Sequence, residues 1–141
     1  MGGEMGKMTL SEGLKIGHPR IDDQHEILLG VLHDLKACVG SESAADCAAR
    51  LSAFIRLMEE HFAVEENLLR DLRYGAAKLE AHVLHHREVI ETVQALAADC
   101  AAAGSYTLGL VEELLRLLFD EVIDADMTIK THLQKIGFRP E

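Results

Sequence analysis

The chain has 141 residues, which fits one domain, and 48% of them are apolar, enough for one continuous core. Its 24 acidic residues against 14 basic ones leave a formal charge of −10, which argues against nucleic acid as a partner, because phosphates are bound by clustered Lys and Arg. No basic amphipathic segment or apolar run of spanning length points to a membrane. The N-terminal MGGEMGKMTL also lacks the apolar stretch of a signal peptide, so a cytoplasmic protein is expected.

Both prolines, Pro19 and Pro140, lie near the ends, and the rest is rich in Ala, Leu and Glu, a composition with high helix propensity. Residues 1–17 are rich in Gly and Met without a sustained period. They read as an arm that packs on the remainder (18–141) near Leu14 and Ile16. The first helix carries the stripe Ile21, His25, Leu28, Leu32, Leu35, Val39, and breaks at Gly40-Ser41-Glu42. The second, with Ser43 as N-cap, carries Phe54, Leu57, His61, Val64 or Glu65, and Leu68, and breaks at Tyr74-Gly75. The third carries Leu79, His82, His86, Val89, Val93, Leu96, and breaks at Gly104-Ser105-Tyr106. The fourth, with Thr107 as N-cap, offers two adjacent stripes: Leu114, Leu117, Glu121, Ala125, Thr128, and Leu115, Leu118, Val122, Asp126, Ile129, Leu133. Four helices with three short loops give an all-α, up-down-up-down antiparallel four-helix bundle with a short N-terminal arm. Cys38, Cys47 and Cys100 form no C-x-x-C pair, and an odd count does not fit a disulfide framework, so they read as small buried or half-buried thiols.

What interrupts the stripes is informative. His25, His61, His82 and His86 stand where the period asks for core residues, and Glu65, Glu121 and Asp126 lie on or beside the same faces. Burying such groups costs several kcal/mol unless they are paired or bound to metal. His61 and Glu65 are i, i+4 neighbours on one face, and His82 and His86 repeat that geometry on the next helix. Imidazole and carboxylate together suit iron, manganese or zinc, and a carboxylate can bridge two ions. Seven donors fit two metals better than one, because a single tetrahedral zinc would leave three of them without a role.

Ile-Asp-Asp-Gln-His at 21–25, His-Phe-Ala-Val-Glu-Glu at 61–66 and His-Val-Leu-His-His at 82–86 resemble the successive ligand motifs of the hemerythrins, including bacterial single-domain members. The resemblance runs from about Leu14 to the C-terminus. It implies two irons about four ångströms apart, held by five histidines and two bridging carboxylates, with O2 bound at the iron that has an open position. Carried over by position, His25 and His61 would ligate that iron, His82 and His86 the second, and Glu65 and Asp126 would bridge them. The family's fourth-helix motif is a His five residues before the bridging Asp. Here that position is Glu121, so the second iron would have two His and one Glu. A register with Asp124 as the bridge would need Phe119 as its partner, which leaves Asp126 as the better choice. The plain alternative for Glu121 is a surface glutamate, against which stands its place on the Leu114–Leu117 stripe. Leu117 occupies the position where many hemerythrins have a Trp.

No other histidine replaces the fifth ligand. His132 lies eleven residues beyond Glu121, roughly 16 Å along the axis. His85 points about 100° away from His86, and His18 and His33 fall off the stripes. All four read as solvated or locally hydrogen-bonded. The resulting expectation is a non-haem di-iron protein that binds O2 as carrier, store or sensor, as monomer or homodimer. The alternatives are a redox enzyme acting on peroxide, O2 or NO, an iron- or manganese-binding module, and a plain structural bundle. A hard, anionic Glu121 should favour the ferric state of its iron.

Overall fold

Helix α1 (Pro19–Cys38) starts at a proline, whose fixed φ suits a first helical position, and His18 caps it, with Nδ1 accepting from the Ile21 N–H at 3.5 Å. The computed structural model describes residues 15–41 and 43–138, except for the side chains of 124–126. Helix α2 (Ala44–Asp71) is capped by Ser43 Oγ, which accepts from Asp46 N–H at 3.2 Å. Helix α3 (Ala76–Ala103) ends at Gly104, whose φ of +64° is the left-handed conformation that glycine adopts without strain. Helix α4 (Leu108–Asp120) is capped by Thr107 Oγ1, which accepts from Leu110 N–H at 3.2 Å. Both N-caps are those expected from the sequence.

The fourth helical run departs from expectation. Rather than one regular helix, α4 passes into a π-helical segment at Glu121–Asp126 and continues as α5 (Met127–Lys135). Residues five apart are offset by about 140° on an α-helix at 3.6 residues per turn, and the wider turn of i→i+5 hydrogen bonding reduces that offset. The π segment spans the interval from Glu121 to Asp126.

All the secondary structure among the described residues is helical, and α1, α2, α3 and α4 pack as a ring: α1 on α2, α2 on α3, α3 on α4 and α4 on α1. With connections of a few residues, consecutive helices run antiparallel, giving the four-helix bundle. Two apolar clusters hold it. The larger joins Leu28, Leu32, Leu35, Leu51, Phe54, Met58, Val93, Leu114 and Leu118. The smaller joins Ile16, Ile21, Leu69, Tyr74, Ile129 and Leu133. Each fully buried Leu, Ile or Phe contributes about 1.5–3 kcal/mol. On α2 the stripe is rotated slightly from its expected line: Met58 and Leu69 are buried, while Leu57 and Leu68 are half-buried at the flanks. Ile16, 1% exposed, is buried in the smaller cluster, as expected from the sequence, and Asp22 accepts hydrogen bonds there from Ile16 N–H at 2.8 Å and Gly17 N–H at 3.1 Å. Leu14, the other expected anchor, lies outside the described residues. No helix among them is long and apolar enough to cross a membrane.

Candidate metal centre

Between the two apolar clusters lies a layer of buried polar side chains. His25 sits between Ile21 and Leu28 on α1, His61 and Glu65 between Met58 and Leu69 on α2, and Glu121 between Leu118 and Ile129 on the fourth run. His82 and His86 close the layer from α3. Glu65, fully buried, is its hub. One oxygen, Oε2, lies 3.0 Å from His61 Nε2 and 3.9 Å from His25 Nε2. The other, Oε1, lies 3.0 Å from His82 Nε2 and 3.1 Å from His86 Nε2. The helical spacing causes this split: His61 is one turn before Glu65 on its own helix, and the His82/His86 pair faces it across the α2–α3 contact.

Glu121 is 1% exposed, which removes the surface reading, and its Oε2 lies 3.2 Å from His86 Nε2. Six of the seven residues singled out from the sequence thus come together in two groups of convergent donor atoms. His25, His61 and Glu65 form one; Glu65, His82, His86 and Glu121 form the other, with Glu65 shared. The seventh, Asp126, has a side chain outside the described residues; its backbone closes the π segment that Glu121 opens.

His85, read from the sequence as solvated or locally hydrogen-bonded, is 46% exposed yet also touches the layer. Its Nε2 lies 2.7 Å from Glu121 Oε1, although it is not aligned as a regular hydrogen bond. The offset of about 100° from His86 carries His85 to the outer edge of the α3–α4 seam, and a glutamate is long enough to meet it there. The other off-stripe histidines do not reach the layer: His18 caps α1 and stacks on Phe138, His132 meets the Tyr74 ring edge-on, and His33 is half-buried on α1.

Two residues that the periodicity did not single out fix the imidazoles from behind. His61 Nδ1 donates to Gln24 Oε1 at 2.9 Å, and His86 Nδ1 donates to Glu66 Oε2 at 2.8 Å. These bonds place the proton of each neutral ring on Nδ1 and leave a lone pair on Nε2. Their signal in the sequence was slight: Gln24 precedes His25, and Glu66 follows Glu65. Phe62 stacks on His86 at 3.8 Å between centroids, shielding that ring from water.

The consequence is a concentration of acceptors. In the neutral, Nδ1-protonated form, His61 Nε2 would direct a lone pair between Glu65 Oε2 at 3.0 Å and His25 Nε2 at 3.1 Å, and His86 Nε2 would direct one at carboxylate oxygens of Glu65 and Glu121. Glu65 Oε2, His86 Nε2 and both Glu121 oxygens are buried without an aligned hydrogen bond. Lone pairs at about 3 Å repel unless a cation or proton sits among them, so the donor set fits divalent metal. Protons partly serve that role in the metal-free chain. Burial pulls the His86 imidazole down, but Glu121, Glu65 and Glu66 outweigh it and raise its pKa to about 10. Burial pushes Glu65 up, but His61, then His82 and His86, hold it well below the usual carboxylate range.

Comparison with known proteins agrees with this geometry. A family model described as the hemerythrin HHE cation binding domain matches residues 17–131. A myohemerythrin from Theromyzon tessulatum is 28% identical over 87 residues, covering 62% of this chain and 66%, just under two thirds, of that relative. With the family match spanning most of a helical bundle whose centre gathers four histidines and two glutamates, the chain belongs to the hemerythrin family.

Proposed function

We propose that the chain is a non-haem di-iron protein that binds O2 in the bundle core. The observation that carries this reading is Glu65, whose two oxygens face different imidazole pairs, as a carboxylate spanning two metals requires. His25 and His61 would hold one iron, and His82, His86 and Glu121 the other, with Glu65 and Asp126 between them. When bound, two ferrous irons supply the electrons that O2 draws on. The chain's own residues set the conditions. Gln24 and Glu66 keep His61 and His86 in the Nε2-ligating tautomer. Phe62 and the two apolar clusters exclude water and lower the local dielectric. Carriage, storage and sensing are all compatible with this site, and manganese is an alternative occupant of so carboxylate-rich a set.

One observation favours a second reading, a redox enzyme acting on peroxide, O2 or NO. Glu121 is buried within the donor set, and an anionic ligand stabilises Fe(III). Metal analysis of aerobically purified protein, with its absorption spectrum, tests the shared premise: about two irons per chain with near-ultraviolet ligand-to-metal bands are expected. One metal, or none after growth with ample iron, would overturn the di-iron reading. Anaerobic reduction followed by O2 then separates the two roles. A reversible spectral change supports binding, and immediate oxidation with multiple turnover supports the enzyme.

A further inference from the structure

At the α1–α2 turn, far from the metal centre, two thiols that the sequence separates are brought together. Cys38 ends α1 and Cys47 lies in the first turn of α2, and their Sγ atoms are 3.0 Å apart. Two sulfurs at that distance are only about 1 Å beyond a disulfide bond. Cys38 is 0% and Cys47 3% exposed, and both belong to the larger apolar cluster. Counting from His25, Cys38 stands thirteen residues along α1, roughly 20 Å away.

Burial alone would make such thiols inert. Two features distinguish this pair. A surface depression of about 240 Å³, lined by Gly40, Ala44, Cys47, Gly104, Ser105 and Tyr106, leads to Cys47. On the other side, Arg50 Nη1 lies 3.9 Å from Cys38 Sγ, where a guanidinium favours negative charge on sulfur. One thiol is thus reachable by a small polar oxidant and the other is held behind it. The turn between them contains Gly40 at φ +85°, a left-handed conformation that glycine adopts without strain.

We infer that Cys38 and Cys47 form an oxidation site for hydrogen peroxide, closing to an intramolecular disulfide that staples α1 to α2. Cys47 Sγ, the sulfur that the depression reaches, attacks one peroxide oxygen as it gives up its thiol proton; the O–O bond breaks, and the departing hydroxide takes up that proton as water. The Cys38 sulfur then attacks the Cys47 sulfenic sulfur, forming S–S and releasing a second water. Two thiols lose two electrons in total, and one peroxide becomes two waters. The inference stands independently of the metal reading.

The test is peptide mapping of the full-length protein, treated with hydrogen peroxide and then blocked with an alkylating agent. The expected product is a Cys38–Cys47 linked peptide pair, lighter by two hydrogens and restored by dithiothreitol, with Cys100 alkylated. In Cys38→Ser the linked pair should be lost and Cys47 sulfenic acid should become trappable by dimedone. Cys38 and Cys47 both alkylated after peroxide, links through Cys100, or oxidation of Cys47 to sulfinic acid without linkage in the wild-type protein would each overturn the inference. The wild-type map decides the matter even where the Cys38→Ser variant does not fold.

Discussion

Replacing Glu65 by glutamine keeps the side chain's shape and removes its charge from the middle of the bundle. In the metal-free protein the carboxylate meets His61 at 3.0 Å, His82 at 3.0 Å and His86 at 3.1 Å, all buried. Removing one partner of a buried ion pair costs about 3–5 kcal/mol. Glu65→Gln should fall at the lower end, because His86 keeps Glu121 at 3.2 Å and Glu66 at 2.8 Å. About 3 kcal/mol corresponds to a melting temperature lower by roughly 6–12 °C for a chain of this size. The assay is thermal unfolding of chelator-treated protein, followed by circular dichroism, across pH. Glu65 has a folded pKa well below the ordinary 4.5, so its contribution is present above 4.5 and is lost only as pH falls through the depressed folded value. Wild type and variant should therefore differ fully at pH 5–7 and converge only in stronger acid. Equal melting at neutral pH, or convergence already by pH 5, would refute the hub role. In loaded protein the same change should leave at most one iron per chain, because the two oxygens face different imidazole pairs.

Three further outcomes follow from the site. Glu121→His exchanges an anionic donor for a neutral one; it should raise the iron reduction potential and slow oxidation in air, measured by redox titration and by the rate of spectral change after O2 is admitted. Gln24→Ala removes the acceptor from His61 Nδ1 and should weaken metal binding about 10–100-fold, with little change in metal-free melting; unchanged affinity in a chelator competition would count against the tautomer argument. Metal uptake should strengthen as pH rises from 6.5 toward about 10, because metal displaces the proton held on His86; the same raised value means that His86's contribution to metal-free stability is complete below 6.5 and gone above about 10. Proton release during anaerobic Fe(II) titration measures it, and a pH-independent affinity would contradict it.

The four helices, two of the caps and the polar layer were legible because each follows from local rules: an apolar period, a Ser or Thr before a run, and polar residues where the period asks for Leu. What escaped depends on tertiary geometry. The π segment has no composition signal of its own; only the five-residue interval from Glu121 to Asp126 hints at it. His85 was set aside by an angular argument that treats side chains as short spokes, yet Glu121 reaches out to it. Gln24 and Glu66 lie off the stripes because groups that orient ligands approach from the flank. The α2 stripe through Leu57 and Leu68 was rotated slightly from the buried line through Met58 and Leu69, a difference set by where α1 and α3 dock. The Cys38–Cys47 contact was invisible to motif counting because a helix–turn–helix junction brings them together.

The placement of the polar layer has an energetic consequence. Apolar packing above and below it, through Leu28, Phe54, Leu114 and Leu118 on one side and Ile21, Leu69, Ile129 and Leu133 on the other, holds all four helices on both sides of the layer. The chain can therefore keep a layer of carboxylates and imidazoles, partly neutralised by protons, at its centre before any metal arrives. A ligand that binds only the folded form adds stability as RT ln(1 + [L]/Kd), about 2.7 kcal/mol at one hundred times Kd. That gain should be expressed where the metal-free bundle is weakest, in the turns carrying His61, His82 and Glu121 rather than in the apolar clusters. Hydrogen exchange should accordingly slow on metal loading around those turns, including the π segment, while the amides near Leu32 and Phe54 are already protected. Uniform slowing across the bundle would mean instead that the layer and the clusters unfold as one unit, and that metal is a condition of the fold rather than an addition to it.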